Sequence, residues 1–313
     1  MSFARTVKEE LVSQPVGFSE QLAEFAAFLN MSTEFHMEDK RKMLDFKTNN
    51  PTVAKRFLQL VRSLYQAETS LMTQKQYKLK QRQTVIIRLL SKVEDIINEH
   101  SLLEAPLDSA ELITQTDETK RSYLRAAFLA AGSVNHPKTA EYHLEIYATN
   151  SDHIVFIQGL MNHFGLNARI TNRRKGFIAY IKDAEAISDF IALAGAQNSV
   201  FQFEDIRIKR DFNNSINRIM NCEIANEKKT IVAANQQLKD IELIESHFVV
   251  DQLDEKLIKV MTIRKTHPDV SLNELTTYYE QTFDETISRS GINHRLNKIK
   301  QLAEKIKEGR EEI

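Results

Sequence analysis

Residues 21–67 align without a gap with residues 121–167, and this internal repeat constrains the fold more than any other feature of the chain. Both segments contain the run Ala-Ala-Phe-Leu, which occupies residues 26–29 in the first and the equivalent place in the second. Each segment continues with an apolar, an acidic and an apolar residue, at positions 44–46 and 144–146. A helical stretch follows, around Phe57 in the first segment and Ile157 in the second. A constant displacement across a helix, a strand and a second helix predicts one module that is present twice.

The spacing of apolar residues predicts that helices dominate and that strands are few. Only eight glycines and five prolines interrupt 313 residues, and apolar residues recur every three or four positions over long stretches. A hydrophobic share of 42% is enough for two or three folded units. Aromatic and β-branched alternation marks four strands, at residues 43–47, 84–88, 143–147 and 177–182. We therefore expect an α+β protein.

Charge and cysteine usage exclude several classes of protein. Lys and Arg total 42 against 43 Asp and Glu, so any affinity for nucleic acid must arise from local separation of charge. Cys222 is the only cysteine, which rules out an internal disulfide or a thiolate metal cluster and suits a reducing compartment. Charged residues interrupt the apolar pairs of residues 1–11, so we expect no export signal, no association with membranes and a cytoplasmic location.

The helix that opens each copy resembles the motif helix of the LAGLIDADG homing endonucleases. The matching residues are 124–132, Leu-Arg-Ala-Ala-Phe-Leu-Ala-Ala-Gly, and in the first copy residues 24–32. Paired alanines one turn apart let two helix backbones approach closely. The resemblance implies a duplicated αββαββα domain in which the two copies meet along the motif helices and cup DNA beneath a saddle-shaped sheet.

The same resemblance argues against DNA cleavage. In those nucleases the penultimate position of the motif holds an acid, and one carboxylate from each copy binds the divalent ions. Here Ala131 and Met31 occupy that position, while Glu34 and Glu141 follow beyond the helix ends. The sequence also lacks the usual nucleotide-binding, serine hydrolase and zinc protease motifs. We therefore expect no catalytic residues, no bound metal and no cofactor.

Each copy continues into a basic strand pair that is a candidate contact for DNA phosphates. The first pair carries Lys75, Lys78, Lys80 and Arg82, and the second carries Arg173, Arg174 and Lys175. No acidic residue interrupts positions 73–92. A basic hairpin is more often a solvated surface, and a domain that has lost its acids can also bind a protein partner. Their occurrence at equivalent places in two copies favours a role with DNA.

The changes in pattern divide the chain into four segments. We expect the first repeat with an N-terminal helix at residues 1–100, the second repeat at 118–205, a helical linker at 206–250 and a C-terminal helix-turn-helix at 251–313. The linker contains an asparagine ladder, Asn213, Asn217 and Asn221, which is expected to line a helix contact in preference to reading bases.

The last segment has the pattern of a helix-turn-helix that presents its third helix to DNA. Within residues 254–266, an apolar stripe consists of Leu257, Val260 and Met261, with Arg264 at its edge. Ser271 with Glu274 forms a capping box that starts the second helix. The third helix has an apolar stripe at Ile292, Leu296, Ile299, Leu302 and Ile306. The sequence from Arg289 to Arg310 holds seven basic residues and two acidic ones.

The early turns of a recognition helix reach base edges while later cations contact phosphates. We expect base contacts from Arg289, Ser290, Asn293, His294 and Asn297, and phosphate contacts from Arg295, Lys298 and Lys305. Arg suits guanine and Asn suits adenine in the major groove. A helix-turn-helix can also bind protein, in which case this helix is a solvated basic face.

The whole chain resembles the WhiA family of bacterial sporulation and cell-division regulators. The resemblance lies in residues 121–146, in 203–230, in the run SLNEL at 271–275 and in SRSGINHRL at 288–296. It implies a nucleoid-associated transcription factor of Gram-positive bacteria that binds double-stranded DNA. The resemblance leaves two possible protein partners open. One is a second transcription regulator, which carries an iron–sulfur cluster in filamentous species, and the other is RNA polymerase. The alternatives are a metal-dependent nuclease and a scaffold that binds partners and has weak DNA affinity.

Overall fold

The computed structural model describes residues 2–38, 41–76, 82–247 and 253–309, without the side chains of residues 38, 75, 76 and 82. It divides into two compact units, Met1–Asp211 and Phe212–Ile313, called unit 1 and unit 2 below. In the described part of the chain, no helix is both long enough and apolar enough to cross a membrane.

Unit 1 contains the two copies of the repeated module. A first helix, α1 (Phe3–Leu11), precedes them. The first copy consists of α2 (Phe18–Ser32), β1 (Thr33–Glu38), β2 (Arg41–Thr48), α3 (Pro51–Tyr65), β3 (Thr69–Gln76), β4 (Arg82–Leu89) and α4 (Val93–Glu99). After α5 (Pro106–Ile113) the second copy consists of α6 (Asp117–Ala131), β5 (Gly132–Val134), β6 (Leu144–Ala148), α7 (Ser151–His163), β7 (Arg169–Arg173), β8 (Gly176–Ile181) and α8 (Ala184–Ala194).

The two copies have the same topology, which confirms the predicted duplication and the α+β class. Each has a four-stranded antiparallel sheet, of order β1-β2-β4-β3 in the first copy and β5-β6-β8-β7 in the second. The equivalent helices also begin in the same way. Asn50 accepts a hydrogen bond from the backbone of Thr52 at the start of α3, and Asn150 accepts one from Asp152 at the start of α7.

The motif helices α2 and α6 pack against each other in the core of unit 1. Small side chains allow the close approach, since Ala26, Ala27, Ala126 and Ala127 are all buried. Gly132 follows α6, and a Cβ atom there would lie 2.2 Å from the Phe128 ring. That position therefore requires glycine for steric reasons.

A buried ion cluster joins the two copies. Glu24 on α2 is fully buried, and it accepts hydrogen bonds of 2.8 Å from Arg56 Nε on α3 and of 2.8 Å from Arg125 Nη1 on α6. Arg125 also donates to the Ala194 carbonyl at the end of α8, and Arg56 donates to the Val12 carbonyl. One carboxylate thus compensates two buried guanidinium groups, one from each copy.

The described residues of unit 2 form four helical segments. Helix α9 (Gln197–His247) begins in unit 1 and continues into unit 2, where α10 (Glu255–Thr266), α11 (Leu272–Phe283) and α12 (Arg289–Lys307) follow. Ile241 and Ile244 of α9 belong to the core of unit 2. Residues 206–247, expected to lie in a linker, are therefore part of one helix whose C-terminal end packs with the three helices that follow.

Candidate nucleic-acid interface

Helices α10, α11 and α12 form a helix-turn-helix whose connections are fixed by specific side chains. The Ser271 hydroxyl and the Glu274 carboxylate form the predicted capping box at the start of α11. Ser288 caps α12 by accepting a hydrogen bond from the Gly291 backbone. Arg264 is almost completely buried, and its guanidinium donates to the carbonyl of Val270 at 2.8 Å. The sequence placed Arg264 only at the edge of an apolar stripe, whereas the structure shows that it anchors the loop between α10 and α11.

The predicted recognition helix, α12, presents a polar face to solvent. Ile292, Leu296 and Ile299 are buried in unit 2, as the stripe predicted, with Ala303 beside them. Leu302 and Ile306 are partly buried against the same core. With 3.6 residues per turn, Ser290, His294 and Asn297 face away from this stripe, and all three are exposed. These three predicted base-reading residues therefore share one accessible surface.

The other two predicted base-reading residues, Arg289 and Asn293, lie on a different flank of α12. They line a groove of about 290 Å³ together with α9 and the start of α11. Lys229 and Ala233 line it from α9, and Asn273 lines it from α11. Both α12 residues are exposed, so they are accessible from solvent beside the Ser290 surface.

The predicted phosphate-binding residues of α12 differ in their exposure and in whether their side chains already form hydrogen bonds. Lys298 and Lys305 are exposed and make no hydrogen bond or ion pair within the described residues. Arg295 is only partly exposed, and its Nη1 donates to the Gly291 carbonyl at 3.1 Å. Arg295 therefore supports the first turn of α12 in this structure, a local role that the sequence pattern did not reveal.

The basic hairpin of the second copy is partly neutralised by an acid. Arg173 Nη2 is 2.7 Å from the Glu145 carboxylate on β6, which is also 2.8 Å from His143 Nε2. Arg174 and Lys175 in the turn are exposed. The three predicted residues of this hairpin line a cavity of about 480 Å³ with Glu145 and two further side chains.

The sheet of the first copy shows the same pairing of cations with acids. Arg88 on β4 donates two hydrogen bonds, of 2.8 and 2.9 Å, to Asp45 on β2, and these bonds hold the pKa of Asp45 below its usual range. Lys47 pairs with Glu34. Of the predicted hairpin residues, Lys78 and Lys80 lie outside the described residues. Lys75 and Arg82 lie on β3 and β4, but their side chains are not described.

The ends of the motif helices offer no ligand for a hard cation at the expected positions. Ala131 ends α6, and Met31 lies in the last turn of α2. Lys8 of α1 donates to the Leu129 carbonyl at 3.0 Å, and burial lowers the pKa of its ammonium to about 8. Among the described residues, no group of three or more His, Cys, Asp or Glu side chains is arranged to hold a metal.

The asparagine ladder is placed differently from expectation. Asn213, Asn217 and Asn221 are exposed on α9, and none of them forms a hydrogen bond within the described residues. The helix contact that the sequence predicted for them is therefore absent from the described part of the chain.

Comparison with known proteins assigns each part of the chain to one family. Three family models match. They are the WhiA N-terminal LAGLIDADG-like domain at residues 18–103, the WhiA LAGLIDADG-like domain at 120–213 and the WhiA C-terminal HTH domain at 216–303. The chain belongs to the WhiA family. The boundary of the WhiA HTH model places the second half of α9 in the same domain as α10, α11 and α12.

Relatives in the WhiA family match over nearly the full length. The chain is 43% identical to a probable cell division protein WhiA of Lactobacillus johnsonii, covering 98% of this chain and 99% of the relative. It is 42% identical to a probable cell division protein WhiA of Lacticaseibacillus casei, covering 97% of each chain. The crystal structure of full-length DUF199/WhiA from Thermatoga maritima is 25% identical, with a TM-score of 0.58, and covers 97% of this chain and 99% of that one.

Sequence reasoning missed Lys229 and Asn273 as neighbours of the recognition helix. Lys229 lies within the expected linker, and Asn273 lies between the two residues of the predicted capping box, Ser271 and Glu274. The spacing of apolar residues along the sequence cannot show that Lys229 and Asn273 share a groove with Arg289. The groove forms only when the helices of unit 2 pack together.

Proposed function

We propose that this WhiA-family chain is a sequence-specific, double-stranded DNA-binding transcription regulator that acts in cell division, chromosome segregation or sporulation. The observation that carries the proposal is the exposed polar surface at the start of α12. Ser290, His294 and Asn297 face solvent together, while the apolar stripe holds the helix against the core of unit 2. A recognition helix in the major groove offers such a surface to base edges.

The remaining predicted contacts fit this arrangement. Arg289 and Asn293 flank the exposed surface, and Lys298 and Lys305 continue it toward the C-terminal end of α12 without a carboxylate partner in the described residues. Unpaired cations beyond the polar surface can contact phosphates while the polar surface itself contacts bases. Association with the nucleoid would follow from such binding.

Selection of duplexes from a random-sequence library with the full chain, followed by titration of variants, tests the proposal. Asn297→Ala should weaken binding to the selected duplex by about 1–3 kcal/mol and have little effect on a scrambled duplex. Lys305→Ala should weaken both to a similar extent and reduce the salt slope by about one.

Recovery of no enriched sequence would contradict sequence-specific binding. Equal losses for Asn297→Ala on selected and scrambled duplexes would show that the wrong face of α12 is assigned as the reader. Asn293→Ala, on the groove flank, separates the two faces in the same titration. Chromatin immunoprecipitation with sequencing would then identify the sites that are occupied in cells.

We further propose that the LAGLIDADG-like domain is inactive as a nuclease. Neither Ala131 nor Met31 has a side-chain oxygen that can coordinate magnesium. The Lys8 ammonium donates to the carbonyl of Leu129, two residues before Ala131, and so adds positive charge near the end of α6. A divalent cation is repelled by this charge and finds no carboxylate in exchange.

A scaffold that binds a protein partner, with weak DNA affinity, is the second candidate. Acidic partners neutralise Arg88, Arg173 and Lys47 on the two sheets, which weakens the field available for DNA. Exposed apolar side chains on α9, including Phe212 and Ile219, favour protein contact. Such a partner can be another transcription regulator or RNA polymerase. Affinity purification of wild type and of Phe212→Ser from cross-linked cells would distinguish this role, since only partner binding depends on that side chain.

A further inference from the structure

We propose that the groove between α9, α11 and α12 binds a backbone phosphate of duplex DNA, with Lys229 and Arg289 as its cations. This inference rests on the proposed function and extends the DNA interface from the helix-turn-helix to α9. It also changes the expected role of Arg289, which would contact a phosphate in place of a guanine.

The groove brings Lys229 and Arg289 to one small space, beside the buried Arg264. Lys229 approaches from α9 and Arg289 from the first turn of α12, and both line the same volume of about 290 Å³. Ala233 and Ala234 form its α9 side, and their short side chains leave room for a ligand. An opening of this size between two cations suits a phosphate group and is too small for a folded partner.

Neither cation is neutralised by the protein. Within the described part of unit 2, Lys229 and Arg289 have no ion pair and no hydrogen bond from their side chains. Lys259 differs from these two, because it lies between Glu255 and Glu285. A phosphate in the groove can pair with Lys229 and Arg289 without displacing a carboxylate, which lowers the cost of binding.

Lys265 and Lys307 are likewise engaged elsewhere in unit 2. Lys265 binds Glu245, and Lys307 binds Asp240 on α9 at 3.1 Å. The hydrogen bonds that Lys259 donates to Glu285 and Glu255 raise the pKa of its ammonium above its usual range, as expected for a satisfied structural cation. Lys259, Lys265 and Lys307 are therefore paired within unit 2, whereas Lys229 and Arg289 remain available to a ligand.

The polar groups around the groove are donors suited to phosphate oxygens. The Asn273 amide lines it beside the two cations, and the Asn293 amide links it to the exposed surface of α12. The Ser271 backbone N–H at the start of α11 already donates to Glu274 at 2.7 Å. We assign the binding groups to the side chains of Asn273 and Asn293 together with the two cations.

The position next to the reading surface favours DNA over an acidic protein. Asn293 lines the groove, and the next residue, His294, belongs to the exposed surface proposed to read bases. Phosphates border the major groove on both sides, so a helix inserted there places its flanks beside the backbone. A phosphate contact at this flank would fix the register of α12.

The test compares Lys229→Ala with Lys239→Ala in the full-length protein. Lys239 is a matched control because it is exposed on the same helix, makes no ion pair in the described residues and does not line the groove. Each variant is titrated over a range of potassium chloride concentrations with a labelled duplex selected from a random library and with a scrambled duplex of the same composition. Thermal unfolding followed by circular dichroism checks that both variants fold.

Lys229→Ala should weaken binding to both duplexes by roughly three- to tenfold and lower the salt slope by about 0.9, the value for one lost phosphate contact. Lys239→Ala should leave both quantities unchanged, and Lys229→Arg should restore them. Ala233→Glu should weaken binding further, since it adds a negative charge inside the groove.

Equal salt slopes for Lys229→Ala and Lys239→Ala would overturn the groove proposal, while a preserved preference for the selected duplex would leave the proposed function standing. No preference in the wild type, together with a lower slope for Lys229→Ala, would support the groove and refute sequence-specific regulation. Loss of binding to a poly-glutamate peptide with no change on DNA would assign the groove to an acidic protein and overturn the proposal.

Discussion

Replacement of Glu24 by glutamine should destabilise unit 1 more than any ordinary surface substitution. The Glu24 side chain is completely inaccessible to solvent, and those of its partners Arg56 and Arg125 are only 10% and 9% exposed. Glutamine keeps the volume and one hydrogen-bond acceptor but removes the charge, so two guanidinium groups remain buried without a carboxylate. Breaking a buried ion pair in this way costs about 3–5 kcal/mol.

The free energy of unfolding can be measured by urea titration followed by circular dichroism at pH 7.5. Hydrogen exchange of peptides from α2 and α6 would locate the loss in unit 1, since the chain has two units and need not unfold in one step. Glu104→Gln is the matched control, because Glu104 is exposed and makes no ion pair in the described residues. It should change stability by less than about 0.5 kcal/mol.

A triple variant separates the charge effect from packing. Methionine at positions 24, 56 and 125 removes all three charges while keeping long side chains, and it should recover much of the loss. Some deficit should persist because the Ala194 and Val12 carbonyls lose their donors. A loss below about 1 kcal/mol for Glu24→Gln would refute the reasoning, since it would mean that the two guanidinium groups are not held in a low-dielectric environment.

Three further predictions concern acid stability, cleavage and the hairpins. Burial lowers the pKa of His153 from 6.5 to about 4, so the unfolded chain binds more protons between these values. The free energy of unfolding should therefore fall by up to about 3 kcal/mol as pH drops from 6.5 to 4, and His153→Gln should flatten this dependence in urea titrations. Supercoiled plasmid should stay intact with magnesium or manganese because Ala131 and Met31 replace the metal-binding acids, and cutting that depends on the LAGLIDADG-like domain would contradict this. Charge reversal of the two hairpins, at Lys78, Lys80, Arg173 and Arg174, should weaken DNA binding and lower the salt slope in titrations. An unchanged affinity and salt slope would show that the hairpins are a solvated surface.

The fold was largely predictable because its signals are local and repeated. The constant displacement between the copies predicted two equivalent modules, and the structure has the same strand order in both sheets. The capping box at Ser271 and the stripe through Ile292, Leu296 and Ile299 predicted the start of α11 and the buried side of α12. The expected helical linker at 206–250 is helical through His247, but a helical pattern does not show that Ile241 and Ile244 pack into the core of unit 2.

The sequence by itself determined which chemistry the chain can contain. Ala131 and Met31 remove the acids at the motif positions, and the early turns of α12 supply short polar side chains with cations after them. These properties depend on residue identity and on helical spacing, both of which are written locally in the chain.

Only the tertiary structure decided which charges are free. Glu145 pairs with Arg173, which is 28 residues away, and Glu24 pairs with Arg125, which is 101 residues away. Lys229 and Arg289 line one groove because the end of α9 shares a core with the three helices that follow. Coulombic interaction depends on distance in space and on burial, so sequence spacing cannot separate a neutralised cation from one that is available to bind phosphate.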